Sequence, residues 1–174
     1  MSGQVPSASQ RAQRRRAREL AVQGIYQWLL AGTSDRSAED FLHELTATLT
    51  AEAGEDEPIT LDPAHREMFT SLLRGTLAQA EEIQADFAPF LDRPVEELSP
   101  VERAILLLAT QELRSSPQVP YRVVINEAIE LTKSFGGAEG HRFVNGVLDK
   151  LAPKLRPVEV EAAGPRGKGA VKGD

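Results

Sequence analysis

What this sequence lacks narrows its chemistry first. Its 174 residues include no cysteine, which excludes a disulfide framework, a thiol nucleophile and a cysteine-liganded metal. Its three histidines, His43, His65 and His141, stand far apart with no paired ligand spacing, so no metal site is expected. No apolar run approaches membrane-spanning length. The basic N-terminal run leads into an amphipathic segment rather than an unbroken apolar one, unlike a signal peptide. A soluble, cytoplasmic protein is the expectation. Nothing reads as a strand. The run Gly136-Gly137-Ala138-Glu139-Gly140 has no strand before it and no Gly-Lys-Ser/Thr in it, so it is not a phosphate loop. Glu127 and Glu130 lie one helical turn apart, but on a helix rich in acids they read as a solvated face rather than a catalytic pair. Asn126 and Asn145 read as packing or local hydrogen-bonding groups. No coherent active site emerges, and neither catalysis nor a cofactor is expected.

What is present is ordinary in bulk and uneven in charge. The hydrophobic fraction of 41% and charged fraction of 26% suit one globular domain with a sizeable core. The net charge of −6 conceals a basic start and an acidic stretch: residues 1–31 sum to +4 and residues 32–62 to −8. A basic end on an acidic protein points to a local polyanion contact.

The organising stretch runs from Pro120 to Leu151. Tyr121, Ile125, Ala128, Ile129 and Thr132 recur at the spacing of one helical face, and Val144, Val147, Leu148, Leu151 and Leu155 do the same. Gly136-Gly137 separates the two helices and is expected to end the first in a left-handed C-cap. Phe143 sits about a quarter-turn off the centre of its own apolar stripe, flanked by Glu139, His141 and Arg142. A ring there either completes a wide core face or awaits a partner, and its wheel position favours the second.

Before this stretch, residues 1–9 read as disordered. A first helix is expected from Gln10 to Ala31, with Ala17, Leu20, Ala21, Gly24, Ile25 and Trp28 as its core stripe. Arg11, Arg14, Arg15, Arg16 and Arg18 crowd its start, against the helix dipole, which hints at a use for them. Arg15, Arg18, Val22 and Tyr26 fall on one flank beside the core stripe. Guanidinium groups meeting phosphates and a tyrosine stacking on a base would suit nucleic acid; a solvated cationic helix start is the plain alternative. A second helix starts near Ser37 with Phe41, Leu42, Leu45 and Leu49, followed by a mobile acidic loop over 50–61. Asp62-Pro63 caps a third helix whose stripe reaches Phe87 and Phe90, breaking near Ala88-Pro89. Ser99-Pro100-Val101-Glu102 is a capping box with proline at the first helical position. The helix that it opens is apolar nearly all round and therefore central. Residues 157–174 read as a disordered tail. About six to seven helices in a bundle make an all-α domain over 10–156.

Taken together, several segments closely resemble the NusB family of bacterial transcription antitermination factors. They are Arg14-Arg15-Arg16-Ala17-Arg18-Glu19 with Ala21-Val22-Gln23 and Tyr26; Val119-Pro120-Tyr121 with Ile125-Asn126-Glu127-Ala128-Ile129-Glu130-Leu131; Lys133-Ser134-Phe135-Gly136; and Phe143-Val144-Asn145-Gly146-Val147-Leu148-Asp149-Lys150. The C-terminal motifs are the more diagnostic. The resemblance implies two three-helix subdomains, binding of boxA RNA in nascent ribosomal transcripts together with NusE (also a small-subunit ribosomal protein), and a part in an elongation complex with other factors and RNA polymerase. It implies an RNA surface of Arg14, Arg15, Arg18, Tyr26, Lys133, Glu139, Arg142 and Phe143, and a NusE contact at Glu102, which also has a capping role. The acidic stretch, the tail and Gly140 depart from the family pattern. A protein-only helical scaffold is one alternative. A relative of the RNA-binding domain of rRNA cytosine methyltransferases is another, but no cofactor-binding α/β pattern accompanies it here. Self-association, including a homodimer hiding the arginine helix, stays open.

Overall fold

A computed structural model describes residues 5–32, 37–52 (side chains to 47), 61–137 and 139–164. Among them are eight α-helices: α1 (Ala8–Ala31), α2 (Ala38–Glu52), α3 (Pro63–Ala78), α4 (Ala80–Phe87), α5 (Pro100–Ser115), α6 (Tyr121–Phe135), α7 (Gly140–Leu155) and α8 (Pro157–Ala163). Short 3-10 turns at Ala88–Phe90 and Val95–Glu97 link α4 to α5. The all-α expectation holds, with more helices than the six or seven read from periodicity.

Local chemistry accounts for half of the helix starts, those of α1, α2, α3 and α5. Ser7 caps α1 with a full capping box, its hydroxyl accepting from the Gln10 N–H while the Gln10 side chain accepts from the Ser7 N–H. This begins the helix two residues before the expected Gln10, because an orphan donor is satisfied there. Ser37 accepts from the Asp40 N–H, and Asp62 accepts from the His65 N–H with Pro63 at the first helical position. Ser99 accepts from the Glu102 N–H, but the Glu102 carboxylate does not return to the Ser99 N–H, so only half of the expected capping box forms.

The core lies along α5, where Ala104 to Leu113 are buried on all sides. A helix with no wet face needs covering on every flank. Helices α1 and α3 pack on one side, with α2 behind α3, while α6 and α7 pack on the other and α4 lies across α5 and α7. Leu20 and Ile25 from α1, Leu73 from α3, Ile83 and Phe87 from α4, Ile125 from α6, and Leu148 and Leu151 from α7 all enter the same core. Each such side chain contributes about 1.5–3 kcal/mol by leaving water.

Four expectations are corrected. The third helix is not continuous to Phe87, because Gln79 (φ −119°, ψ 22°) leaves helical geometry and splits it into α3 and α4. Gly136 ends α6 in an extended conformation (φ −102°, ψ −179°) rather than a left-handed one. Glycine is needed there for close approach, since a Cβ would lie 2.8 Å from the Thr132 carbonyl oxygen. Residues 157–163 form α8 instead of a featureless tail, tied down by Arg156 and Glu159. Lastly, Arg18 and Val22 are on the buried face of α1, not on an open flank. The acidic stretch over 53–60, the first four residues and 165–174 lie outside the described residues.

Candidate nucleic-acid interface

The arginine helix divides its cations among three surroundings. Arg18 is buried, with only 3% of its surface exposed. It makes a two-pronged contact with the Glu112 carboxylate of α5, at 2.5 Å from Nε and 2.9 Å from Nη2. Burial works against its charge, but the Glu112 hydrogen bonds and charge outweigh it and hold the guanidinium above its ordinary pKa. The expected RNA contact at Arg18 is therefore corrected: this side chain faces the core because it lies one turn from Val22 and two from Ile25 on the buried stripe.

Arg15 reaches α6. Its Nε and Nη2 donate to the two oxygens of Glu127 at 3.1 and 3.0 Å, while half of its side chain stays exposed. The Glu127 hydrogen bonds, joined by the charges of Glu127, Glu130 and Glu19, raise its pKa. Arg14 lines a groove of about 650 Å³ between α1, α3 and α5, together with His65, Met68, Gln111 and Ser115. Arg16 pairs with Glu19 at 3.1 Å. Tyr26 is half-buried and packs against the core. The sequence-predicted arginine surface is thus only partly a free cationic one.

A second cluster forms where α6, α7 and the α4–α5 connection meet. Lys133 is one turn beyond Glu130 and 3.5 Å from it; Glu139 and Arg142 form a loose exposed pair at 3.6 Å. A Cβ on Gly140 would lie 2.9 Å from the Glu102 Oε1 and 3.2 Å from the Thr132 Cγ2. Glycine at this position therefore lets Glu102 lie against the start of α7, and it brings the two predicted surfaces into contact. Phe143 is half-buried, packed against the core on one side, with the Arg93 guanidinium over its ring, 4.6 Å from the centroid. The ring thus contributes to packing while staying partly exposed, and Arg93 lies over it.

Sequence reasoning missed Arg93, Glu112 and Glu127 as partners. Glu112 carried a signal, since an acid inside an otherwise apolar helix requires a cation. Arg93 carried none, because its contact with Phe143 depends on how α7 docks beside the α4–α5 connection. Among the described residues no group of three or more His, Asp or Glu side chains could hold a metal, and no helix is long and apolar enough to cross a membrane.

The fold is all-helical, and the candidate interface residues fall into two groups: arginines of α1 paired with carboxylates, and a cluster around Phe143 at the start of α7. The chain belongs to the NusB family, whose model matches residues 15–153. It is 58% identical over 155 residues to the transcription antitermination protein NusB of Azoarcus sp. (strain BH72), covering 89% of this chain and 92% of that one. Among solved structures it is similar to T. maritima NusB, with a TM-score of 0.67 and 29% identity over 81% of this chain and 91% of the other. It also resembles a structure of antitermination factors NusB and NusE in complex with dsRNA, with a TM-score of 0.66 and coverage of 82% and 98%. At 22% identity that last likeness speaks to the fold alone.

Proposed function

We propose that this chain is a cytoplasmic transcription antitermination factor that binds boxA RNA of nascent ribosomal transcripts jointly with NusE. The observation that carries the reading is the 58% identity to a transcription antitermination protein across nearly the whole of both chains. Two groups of charged residues and rings support the reading. On this reading Arg14, Arg15, Lys133 and Arg142 attract phosphates, while Tyr26 and Phe143, the latter beneath Arg93, lie near the surface where bases would approach. Glu102, beside Gly140, is the proposed NusE contact, and the pair binds RNA through linked equilibria. Other elongation factors and RNA polymerase enter through the assembled pair. No bond is made or broken in this function.

A protein-only scaffold has one observation in its favour, because Arg15, Arg16 and Arg18 are already paired with carboxylates. Titrating a boxA RNA oligonucleotide and a scrambled control, each with and without NusE, separates the readings. Preference for boxA that strengthens with NusE is expected. NusE binding without RNA binding in either mixture would instead establish the scaffold.

A further inference from the structure

The connection between α4 and α5 carries a feature that the function above does not use. Phe90 packs half-buried against the core, and Val95 and Leu98 are buried, so the segment is anchored at both ends. Between them Pro94 has its φ fixed near −59°, and its ring disfavours a helical conformation at Arg93. Arg93 is therefore presented from a braced strap rather than from a swinging loop. Its guanidinium lies 4.6 Å from the Phe143 centroid; its Nε donates to Asp92 at 3.2 Å. Its side chain remains 40% exposed.

This arrangement is a layered stack. The core supports the Phe143 ring, the ring lies under the guanidinium, and the Arg93 side chain as a whole stays partly exposed. A planar cation with free edge donors is a good partner for an unstacked nucleobase, offering both a stacking face and hydrogen bonds to base edges. A phosphate is a poorer fit, because Asp92, Glu96 and Glu97 make this segment acidic in sum. The same acids disfavour an acidic peptide.

Resting on the RNA-binding reading, we propose that Arg93, carried on the Phe143 ring, stacks on and reads a single-stranded base, and that Phe143 acts as its pedestal. Sequence preference at one boxA position then comes from Arg93 rather than from the ring alone.

The test uses the full chain with a single-stranded boxA oligonucleotide at several salt concentrations, together with NusE affinity and thermal midpoints. Arg93→Ala is expected to weaken RNA binding by on the order of tenfold, with little change in the salt slope and none in NusE affinity. Arg93→Lys should be nearly as weak, since lysine keeps the charge but not the plane. Abasic substitution along the RNA should reveal one position at which Arg93→Ala costs nothing further. Should Arg93→Ala fail to fold, Arg93→Lys and Phe143→Leu carry the comparison. Unchanged RNA affinity in a folded variant overturns the proposal. A reduced salt slope restored by lysine makes Arg93 a phosphate contact and also overturns it, as does lost NusE affinity with RNA binding intact. If the unsubstituted chain binds no RNA, the broader reading fails instead, and the two failures are distinct.

Discussion

At the scale of single residues, the same side chain type plays opposite parts a few positions apart. Arg15 and Arg18 both pair with carboxylates, yet one pair is half in water and the other is sealed. Water screens the first, so its worth is on the order of 0.2–1 kcal/mol. A phosphate can therefore compete with Glu127 for Arg15. Glu127→Gln is expected to strengthen RNA binding by roughly two- to fivefold at low salt, read by titration; unchanged affinity would take Arg15 out of the RNA surface. The sealed pair behaves differently, because removing one partner leaves the other as an uncompensated buried charge. Arg18→Ala should cost about 3–5 kcal/mol in denaturant unfolding, whereas Arg18→Met with Glu112→Leu should come within a few kcal/mol of the parent. A folded, stable Arg18→Ala variant with weakened RNA binding would restore Arg18 to the interface.

At the scale of elements, the decisive piece is the short C-terminal helix and the residue before it. Arg156 donates to the carbonyl oxygens of Leu113 at 2.7 Å, Ser116 at 2.8 Å and Val119 at 3.0 Å, and to Glu159 at 2.6 Å. Those carbonyls end α5 and line its turn into α6, where a cation also complements the helix dipole. Glu159 in turn accepts from the Tyr121 N–H at 2.7 Å, capping α6 where Pro120 cannot supply a side-chain oxygen. One arginine and one glutamate thus join three helices. Arg156→Ala should lower stability by about 2–4 kcal/mol, since several buried acceptors lose their donor. Hydrogen exchange should quicken first at the α5–α6 turn. Uniform destabilisation with no local change there would mean that α8 only covers the core.

At the scale of the whole molecule, α5 packs against α1, α3, α4, α6 and α7: Glu112 near its end holds α1, and Glu102 at its start lies against α7. Glu102→Lys is expected to impair NusE association more than RNA binding. A lysine beside the start of α7 also opposes that helix's dipole, so the thermal midpoint must be measured alongside the affinity. Full NusE affinity in the variant would place that contact elsewhere. Helices, caps and the central position of α5 were legible in the chain because they depend on residues within a few positions of one another: Ser99 before Pro100, Asp62 before Pro63, the spacing of Ile125 and Ala128. The burial of Arg18 was half legible, through its register with Val22 and Ile25, but its partner stands 94 positions away on another helix. The start of α8 was not legible, since Pro157-Val158-Glu159 has no periodic apolar stripe and is held by Arg156. Nor was Arg93 over Phe143, which exists only because α7 docks beside the strap between α4 and α5. The sequence by itself therefore determined most of the helical segments and which helix is central, since hydrogen bonding and apolar periodicity are local, but neither the break at Gln79 nor α8. Only the tertiary structure decided which arginines remain at the surface and which ring carries a cation, because charge pairing and stacking depend on groups that folding alone brings together.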